Sequence, residues 1–170
     1  MEPIADKFDK VFEVLCSLCS VNILFLNEAT IKAAYRMQPQ LDELWSLHMG
    51  IGSLTDELVP AVVSLLRGTP ILCTLYIGYK PTSLDHKSNT SGFDMEYWKM
   101  QNLAFISQVE EVIIELSARS NGIELARHIL EHAETLEEMV IRYLPEQSNL
   151  IGILQESKMI SNPLVTFEEY

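Results

Sequence analysis

The stretch from Asp94 to Tyr143 carries two stripes of mainly apolar residues, each with spacings that alternate between four and three. The first stripe consists of Trp98, Asn102, Phe105, Val109, Val112 and Leu116. The second consists of Leu125, Ile129, His132, Leu136, Met139 and Tyr143. This alternation keeps side chains on one side of a helix and is typical of helices that pack against partners. It predicts a hairpin of two long helices, with a short break at Arg119–Gly122.

A third stripe of the same kind lies near the N-terminus. It consists of Ile4, Phe8, Val11, Leu15, Leu18, Asn22 and Phe25. The three stripes predict long helices at Glu2–Phe25, Asp94–Ser117 and Gly122–Tyr143. Seven glycines and seven prolines are few for a β protein with many tight turns. We therefore predict an all-α fold, a helical bundle of about six or seven helices around the long central helical hairpin.

The remaining segments predict shorter elements. A helix is predicted between Ser53 and Gly68, where Pro60 implies either a late start or a bend. Another is predicted from Ser148 to about Lys158. The stretch Ile71–Tyr79 has the β-branched and aromatic content of a strand, but a lone strand would lack a partner. We favour a buried helix there and leave a strand as the alternative.

The predicted domain organisation is simple. Residues 1–160 are expected to form one helical domain, with a loop near 80–92 where Pro, Ser, Asn and Gly are concentrated. Residues 161–170 show no periodicity and are predicted to be a flexible tail, with a docking peptide as the alternative. No internal repeat is clear enough to predict a solenoid.

The charge of the chain narrows the classes of partner. The formal net charge is −12, and residues 93–170 hold 14 acidic and 5 basic side chains. Residues 1–92 hold 10 and 7. Such a field repels phosphate backbones, so we predict no nucleic-acid binding. An acidic surface could instead steer a basic protein partner toward the molecule.

Cysteine content and hydropathy predict the compartment. Three cysteines are an odd number, and no basic segment followed by an apolar leader opens the sequence. No apolar run approaches the roughly 20 residues that a membrane span needs. These features predict a soluble protein with reduced thiols and no membrane span, in the cytoplasm or the nucleus.

Two motifs could carry metal chemistry. His128 and His132 lie four apart in an H-x-x-E-H pattern, and Cys16 and Cys19 form a C-x-x-C pair. Either pair would share a helix face, and together they could hold a structural zinc ion. Core packing is the commoner role of such residues in helices. We find no phosphate-binding glycine loop and no G-x-S-x-G elbow, so no metal, cofactor or catalytic residue is predicted and the chain is not expected to be an enzyme.

The leading functional prediction is a non-enzymatic protein–protein interaction module. It would be a subunit or adaptor of an intracellular assembly, or a regulatory or viral factor, that binds one or more protein partners as a homodimer or hetero-complex through a helical seam or groove. The predicted seam residues are Phe105, Val109, Val112, Leu116, Leu125, Ile129, Leu136 and Met139. One alternative is a small helical metal protein or hydrolase that uses Cys16, Cys19, His128 and His132. A second is a groove for an apolar ligand or a partner helix.

Overall fold

The computed structural model describes residues 20–79, 93–117 and 121–170, together with residues 13, 14 and 17. Within them it contains one six-stranded sheet and five α-helices. The strands are β1 (Ile23–Asn27), β2 (Ser46–Ile51), β3 (Thr74–Tyr79), β4 (Glu111–Glu115), β5 (Glu138–Tyr143) and β6 (Leu164–Glu169). The helices are α1 (Glu28–Tyr35), α2 (Val59–Arg67), α3 (Met95–Met100), α4 (Gly122–His132) and α5 (Ser148–Gln155). Two 3₁₀ helices span Ala104–Ser107 and Pro145–Gln147.

The prediction of an all-α helical bundle with a coiled-coil-like central hairpin is wrong, because the protein is an α/β fold built on a parallel sheet. In the first predicted helix of the hairpin, only α3 is α-helical, and β4 follows it. The stripe from Phe105 to Leu116 passes through a 3₁₀ helix, a loop and a strand. Its members are buried in each of these conformations, so burial alone produced the four-and-three spacing.

The second half of the predicted hairpin divides in the same way. The helix α4 ends at His132, and residues from Glu138 onward form β5. The local signal for strands lies in runs of β-branched residues such as Val112-Ile113-Ile114, which are stiff at χ1 and favour extended backbone. In the described part of the predicted helix Glu2–Phe25, residues 23–25 belong to β1.

Other segments also differ from the sequence-based expectation. The stretch Ile71–Tyr79 supplies β3 rather than a buried helix, and it has neighbouring strands on both sides. Residues 161–170, predicted as a tail, supply β6. The predicted loop at 80–92 lies outside the described residues. Two helix predictions are confirmed, since α2 begins late with Pro60 in its first turn and α5 begins at Ser148.

The six strands are all parallel, and their order across the sheet is their order along the chain. A parallel connection between neighbouring strands is almost always right-handed. Each new strand is added on the same side of the one before it. Right-handed connections between such strands all pass over the same face of the sheet. Among the described residues, the other face is then left without a layer of helices. We call it the open face.

The covered face holds two ladders of apolar side chains in register across the strands. The first ladder is Leu24, Leu47, Leu75, Val112, Met139 and Val165. The second is Leu26, Met49, Ile77, Ile114, Ile141 and Phe167. The members on β1 to β5 are buried, and those on β6 pack against the same core. Burial at every second position sets the face that each strand turns inward.

The chain repeats one structural unit. An apolar residue stands three positions before the first ladder member in five of the six units: Val21, Leu44, Leu72, Val109 and Leu136. The backbone repeats as well: the carbonyl of Asn22 accepts hydrogen bonds from the amides of Trp45 and Ser46, and the carbonyl of Trp45 accepts from Cys73 and Thr74. The strands begin at residues 23, 46, 74, 111, 138 and 164. These features describe a solenoid of one strand per unit.

Candidate functional site: the open face of the sheet

The eight residues predicted to form a partner-binding seam all lie in the core. Their exposed fractions range from 0% to 3%. They are Phe105, Val109, Val112, Leu116, Leu125, Ile129, Leu136 and Met139. Because side chains with so little exposure offer no surface to a partner in the folded chain, we place the candidate binding surface elsewhere.

The residues of the metal-site alternative are only partly described. Cys16 and Cys19 lie outside the described residues. His128 and His132 are brought together on α4 with ring centroids 4.5 Å apart, and the Nδ1 atom of His132 lies 2.9 Å from the carbonyl oxygen of His128. Among the described residues, no group of three or more His, Cys, Asp or Glu side chains is arranged to hold a metal ion.

His128 makes the stability of the fold depend on pH. Its side chain is only 4% exposed, and Nδ1 has no hydrogen-bond partner among the described residues. Burial, followed by the repulsion of His132 and Lys99, lowers the pKa of His128 to about 4, against the opposing attraction of Glu131. The folded state therefore disfavours the protonated ring that the unfolded chain accepts near pH 6.5.

We expect this histidine to stabilise the fold above pH 6.5 and to lose that contribution as the pH falls toward 4. Between pH 7 and pH 5 the loss should be about 2 kcal/mol. Urea unfolding of the native chain and of His128→Leu at both pH values measures it, with His132→Leu as the matched control. The native chain should lose more stability between the two pH values than His128→Leu does. Equal losses would show that His128 is not responsible.

The open face presents three rows of side chains that alternate with the buried ladders. The first row is Ile23, Ser46, Thr74, Glu111, Glu138 and Leu164. The middle row is Phe25, His48, Tyr76, Ile113, Val140 and Thr166. The third row is Asn27, Gly50, Gly78, Glu115, Arg142 and Glu168. The middle row is thus a largely apolar band that crosses all six strands.

Three rings of the middle row form an aromatic stack. The rings of Phe25 and His48 are stacked with centroids 4.3 Å apart, and those of His48 and Tyr76 are tilted at 5.5 Å. The Oγ of Ser46 lies 3.2 Å from Nε2 of His48. Phe25 is nevertheless 72% exposed, although it occupies a regular strand. A large aromatic ring held in place by its neighbour and open to solvent is a typical anchor for an interface.

A network of charged side chains continues from the stack across β4, β5 and β6. The hydroxyl of Tyr76 donates a hydrogen bond of 2.8 Å to Oε1 of Glu115, and Nη1 of Arg142 donates one of 3.0 Å to the same oxygen. The Nε of Arg142 donates to Oε2 of Glu168 at 2.8 Å. Arg142 is thereby held between two carboxylates, with its guanidinium at the middle of the third row.

Glycine at position 78 makes room for this arrangement. A Cβ atom there would lie 2.7 Å from a ring carbon of Tyr76 and 3.0 Å from its hydroxyl oxygen. The ring of Tyr76 therefore lies directly over Gly78 on its way to Glu115. A larger residue at this position would push the ring away from the sheet and from its carboxylate partner.

The protonation states follow from the same contacts. Burial and then the hydrogen bond to Glu115 raise the pKa of the Tyr76 hydroxyl. Burial lowers the pKa of His48, against the attraction of Glu111. The hydrogen bonds to Glu168 and Glu115 raise the pKa of Arg142 above its ordinary value. At neutral pH the aromatic stack is therefore uncharged, and the charges of the open face belong to its glutamates and Arg142.

Phe25, His48 and Tyr76 were not predicted as site residues, because helices were favoured at Phe25 and Tyr76 and no strand was predicted at His48. The signal that could have identified them is the repeated apolar spacing of three and then two, as in Leu44, Leu47 and Met49. The residue between the last two positions of each such triplet lies on the open face. In the first three units that residue is Phe25, His48 or Tyr76.

Two further observations concern the predicted groove for an apolar ligand and the predicted absence of a membrane span. The pocket at the C-terminal ends of β2, β3 and β4 has a volume of about 10 Å³, which is room for one water molecule and not for an apolar ligand. Within the described part of the chain, no helix has the length and apolar character needed to cross a membrane.

Comparison with protein-family models, with curated proteins and with solved structures finds no match to this chain.

Proposed function

We propose that this protein is a non-enzymatic protein-binding module, a subunit or adaptor that holds its partner on the open face of the sheet. The observation that carries the proposal is the aromatic stack of Phe25, His48 and Tyr76, which ends in a ring that is 72% exposed. Aromatic side chains are enriched among the residues that contribute most to binding. On this account the middle row forms the centre of the interface.

The architecture supports the same proposal. Solenoids stack repeated units into an extended surface, and such surfaces commonly bind other proteins. The spacing of apolar residues in the first five units matches the L-x-x-L-x-L pattern of leucine-rich repeats. That likeness concerns how the core is built, and it raises the expectation of binding by analogy only.

The open face is also preorganised. Binding costs free energy when it immobilises flexible side chains, at roughly 0.5–1.5 kcal/mol for each rotamer-rich one. Here the ring of His48 is held between two aromatic neighbours, and Arg142 is fixed by two carboxylates. A partner that docks on this face therefore meets side chains that are already ordered.

We place the protein in the cytoplasm or the nucleus. Cys73 is a free thiol in the structure, and the chain contains three cysteines in all. Free thiols are typical of reducing compartments. The strongly acidic character of the chain also supports protein rather than nucleic-acid partners.

The experiment compares partner capture by the native chain, by Phe25→Glu and by Met100→Glu. Met100 is the matched control because it is 73% exposed but lies on α3, away from the open face. We expect the affinity of captured partners for Phe25→Glu to fall by at least about tenfold, since a charge would replace the exposed aromatic anchor. Met100→Glu should bind as the native chain does.

The measurement is quantitative mass spectrometry after capture, followed by titration of each enriched protein against the three chains. Circular dichroism of each variant establishes that it is folded. Partners that bind Phe25→Glu as tightly as the native chain would contradict the proposal, as would partners lost equally from both variants.

A further inference from the structure

We propose that the open face recognises a protein segment, laid across the strands, that carries an apolar anchor and, a few residues away in either direction, a lysine or arginine. This inference rests on the proposed function and specifies the chemistry of the partner. The apolar anchor would contact Phe25 and the stack on β1 to β3. The cationic side chain would lie between Glu111 and Glu138 on β4 and β5.

The half of the open face formed by β1, β2 and β3 has no acidic side chain and no Lys or Arg, and its most exposed large side chain is aromatic. Phe25 and Ile23 are exposed side by side on the same face of β1. The neighbouring positions of the first row are Ser46 and Thr74, and the third row has glycine at positions 50 and 78. This half therefore offers a flat aromatic surface flanked by small residues, which suits an apolar or aromatic side chain of a partner.

The half formed by β4, β5 and β6 is acidic. Glu111 and Glu138 are register partners on adjacent parallel strands, which lie about 4.8 Å apart, so their carboxylates are neighbours on the open face. Each follows another glutamate, Glu110 or Glu137, and both of these are exposed. None of the four forms an ion pair with a cationic side chain among the described residues.

Arg142 does not neutralise this cluster. It is the cationic residue of the three rows, and both of its ion pairs are made to Glu115 and Glu168 in the third row. Neighbouring carboxylates repel each other, and a cation placed between them relieves that repulsion. Charge complementarity therefore favours a cationic side chain at Glu111 and Glu138, and it disfavours phosphate backbones and anionic lipid surfaces.

The positions of the two halves determine how far apart the apolar anchor and the cationic residue of the partner must be. From β1 to β4 and β5 there are three and four strand spacings, or about 14–19 Å across the sheet. An extended chain advances about 3.3 Å per residue, so the anchor and the cation would be roughly four to six residues apart.

The test uses a random peptide library displayed on phage and selected on the immobilised native chain. Enriched peptides are synthesised, and their dissociation constants are measured on four chains by fluorescence anisotropy. These are the native chain, Phe25→Glu, the double variant Glu111→Gln/Glu138→Gln and the double variant Glu146→Gln/Glu156→Gln. The last is the matched control, because it also removes two negative charges, but from exposed positions near α5.

We expect the enriched peptides to combine an aromatic or aliphatic residue with Lys or Arg four to six positions away. Their affinity should fall about tenfold or more for Glu111→Gln/Glu138→Gln and should change little for the control. The affinity of these peptides should also depend less on salt concentration in Glu111→Gln/Glu138→Gln, because a charge pair no longer contributes to binding.

The failures of the two proposals are distinguishable. Peptides without a cationic residue, or with affinity unchanged by Glu111→Gln/Glu138→Gln, overturn this inference. If such peptides still lose binding to Phe25→Glu, the open face remains the binding surface. If peptides bind Phe25→Glu as tightly as the native chain, both proposals are overturned. Failure to enrich any peptide above the level seen with an unrelated acidic protein also overturns the inference.

Discussion

The substitution Ile114→Asp is expected to abolish folding, whereas Ile113→Asp should leave a folded protein. Ile114 belongs to the second buried ladder and is 1% exposed, with Ile77 and Ile141 as its register partners. An aspartate there would lose the burial of the isoleucine and place a carboxylate in an apolar core. We expect a loss of more than about 5 kcal/mol, which is comparable to the whole stability of a typical domain.

Ile113 is the matched control because the same substitution is made one residue away. Its side chain is on the open face and is partly exposed. Ile113→Asp should cost about 1–2 kcal/mol, and circular dichroism with urea unfolding distinguishes the two outcomes. Neither residue belongs to the predicted helical seam. Similar stability of the two variants would contradict the alternation of covered and open faces.

The second large loss of stability is expected for Asn121→Ala. The side chain of Asn121 is 3% exposed and joins three parts of the chain. Its Nδ2 donates hydrogen bonds to the carbonyl of Leu54 at 2.9 Å and to Oδ1 of Asp56 at 3.0 Å, and its Oδ1 accepts one from the amide of Phe93 at 3.2 Å. Alanine would remove all three of these side-chain hydrogen bonds, at a cost of about 3 kcal/mol.

Urea unfolding measures this loss, and Asn162→Ala is the control because Asn162 is exposed in the turn before β6. The control should change the free energy of unfolding by less than about 0.5 kcal/mol. Loss of stability in Asn121→Ala close to that of the control would show that the three hydrogen bonds do not hold these loops together. Asn121→Asp should also be destabilised, since it loses both donors and brings a second carboxylate toward Asp56.

The sequence contained more local than long-range information about this fold. The start of α2 at Val59, with Pro60 in its first turn, and the position of α5 follow from local signals. The residues Val109, Val112 and Leu116 were predicted to form a partner-binding helical seam but are buried in the core, because a loop entering a strand gives them the same spacing as a helix. Ile114, which lies between the last two, distinguishes the two conformations because a strand buries every second residue.

The candidate site was harder to predict than the core. Phe25, His48 and Tyr76 are separated by more than 20 residues along the chain, and only the parallel register brings their rings together. Register depends on pairing between strands distant in sequence, which periodicity within one segment does not report. The repeat of Leu44, Leu47 and Met49 in successive units carried that information, and it becomes clear when the units are aligned on their strands.

The central claim is that six sequential parallel strands form one sheet with an open face, and nuclear Overhauser effects between strands test it most directly. The account predicts contacts between the backbones of Tyr76 and Ile113 and between those of Ile113 and Val140, with extended-chain patterns through residues 111–115. Helical contacts between residues three and four apart through 105–116, without contacts between the strands, would contradict it.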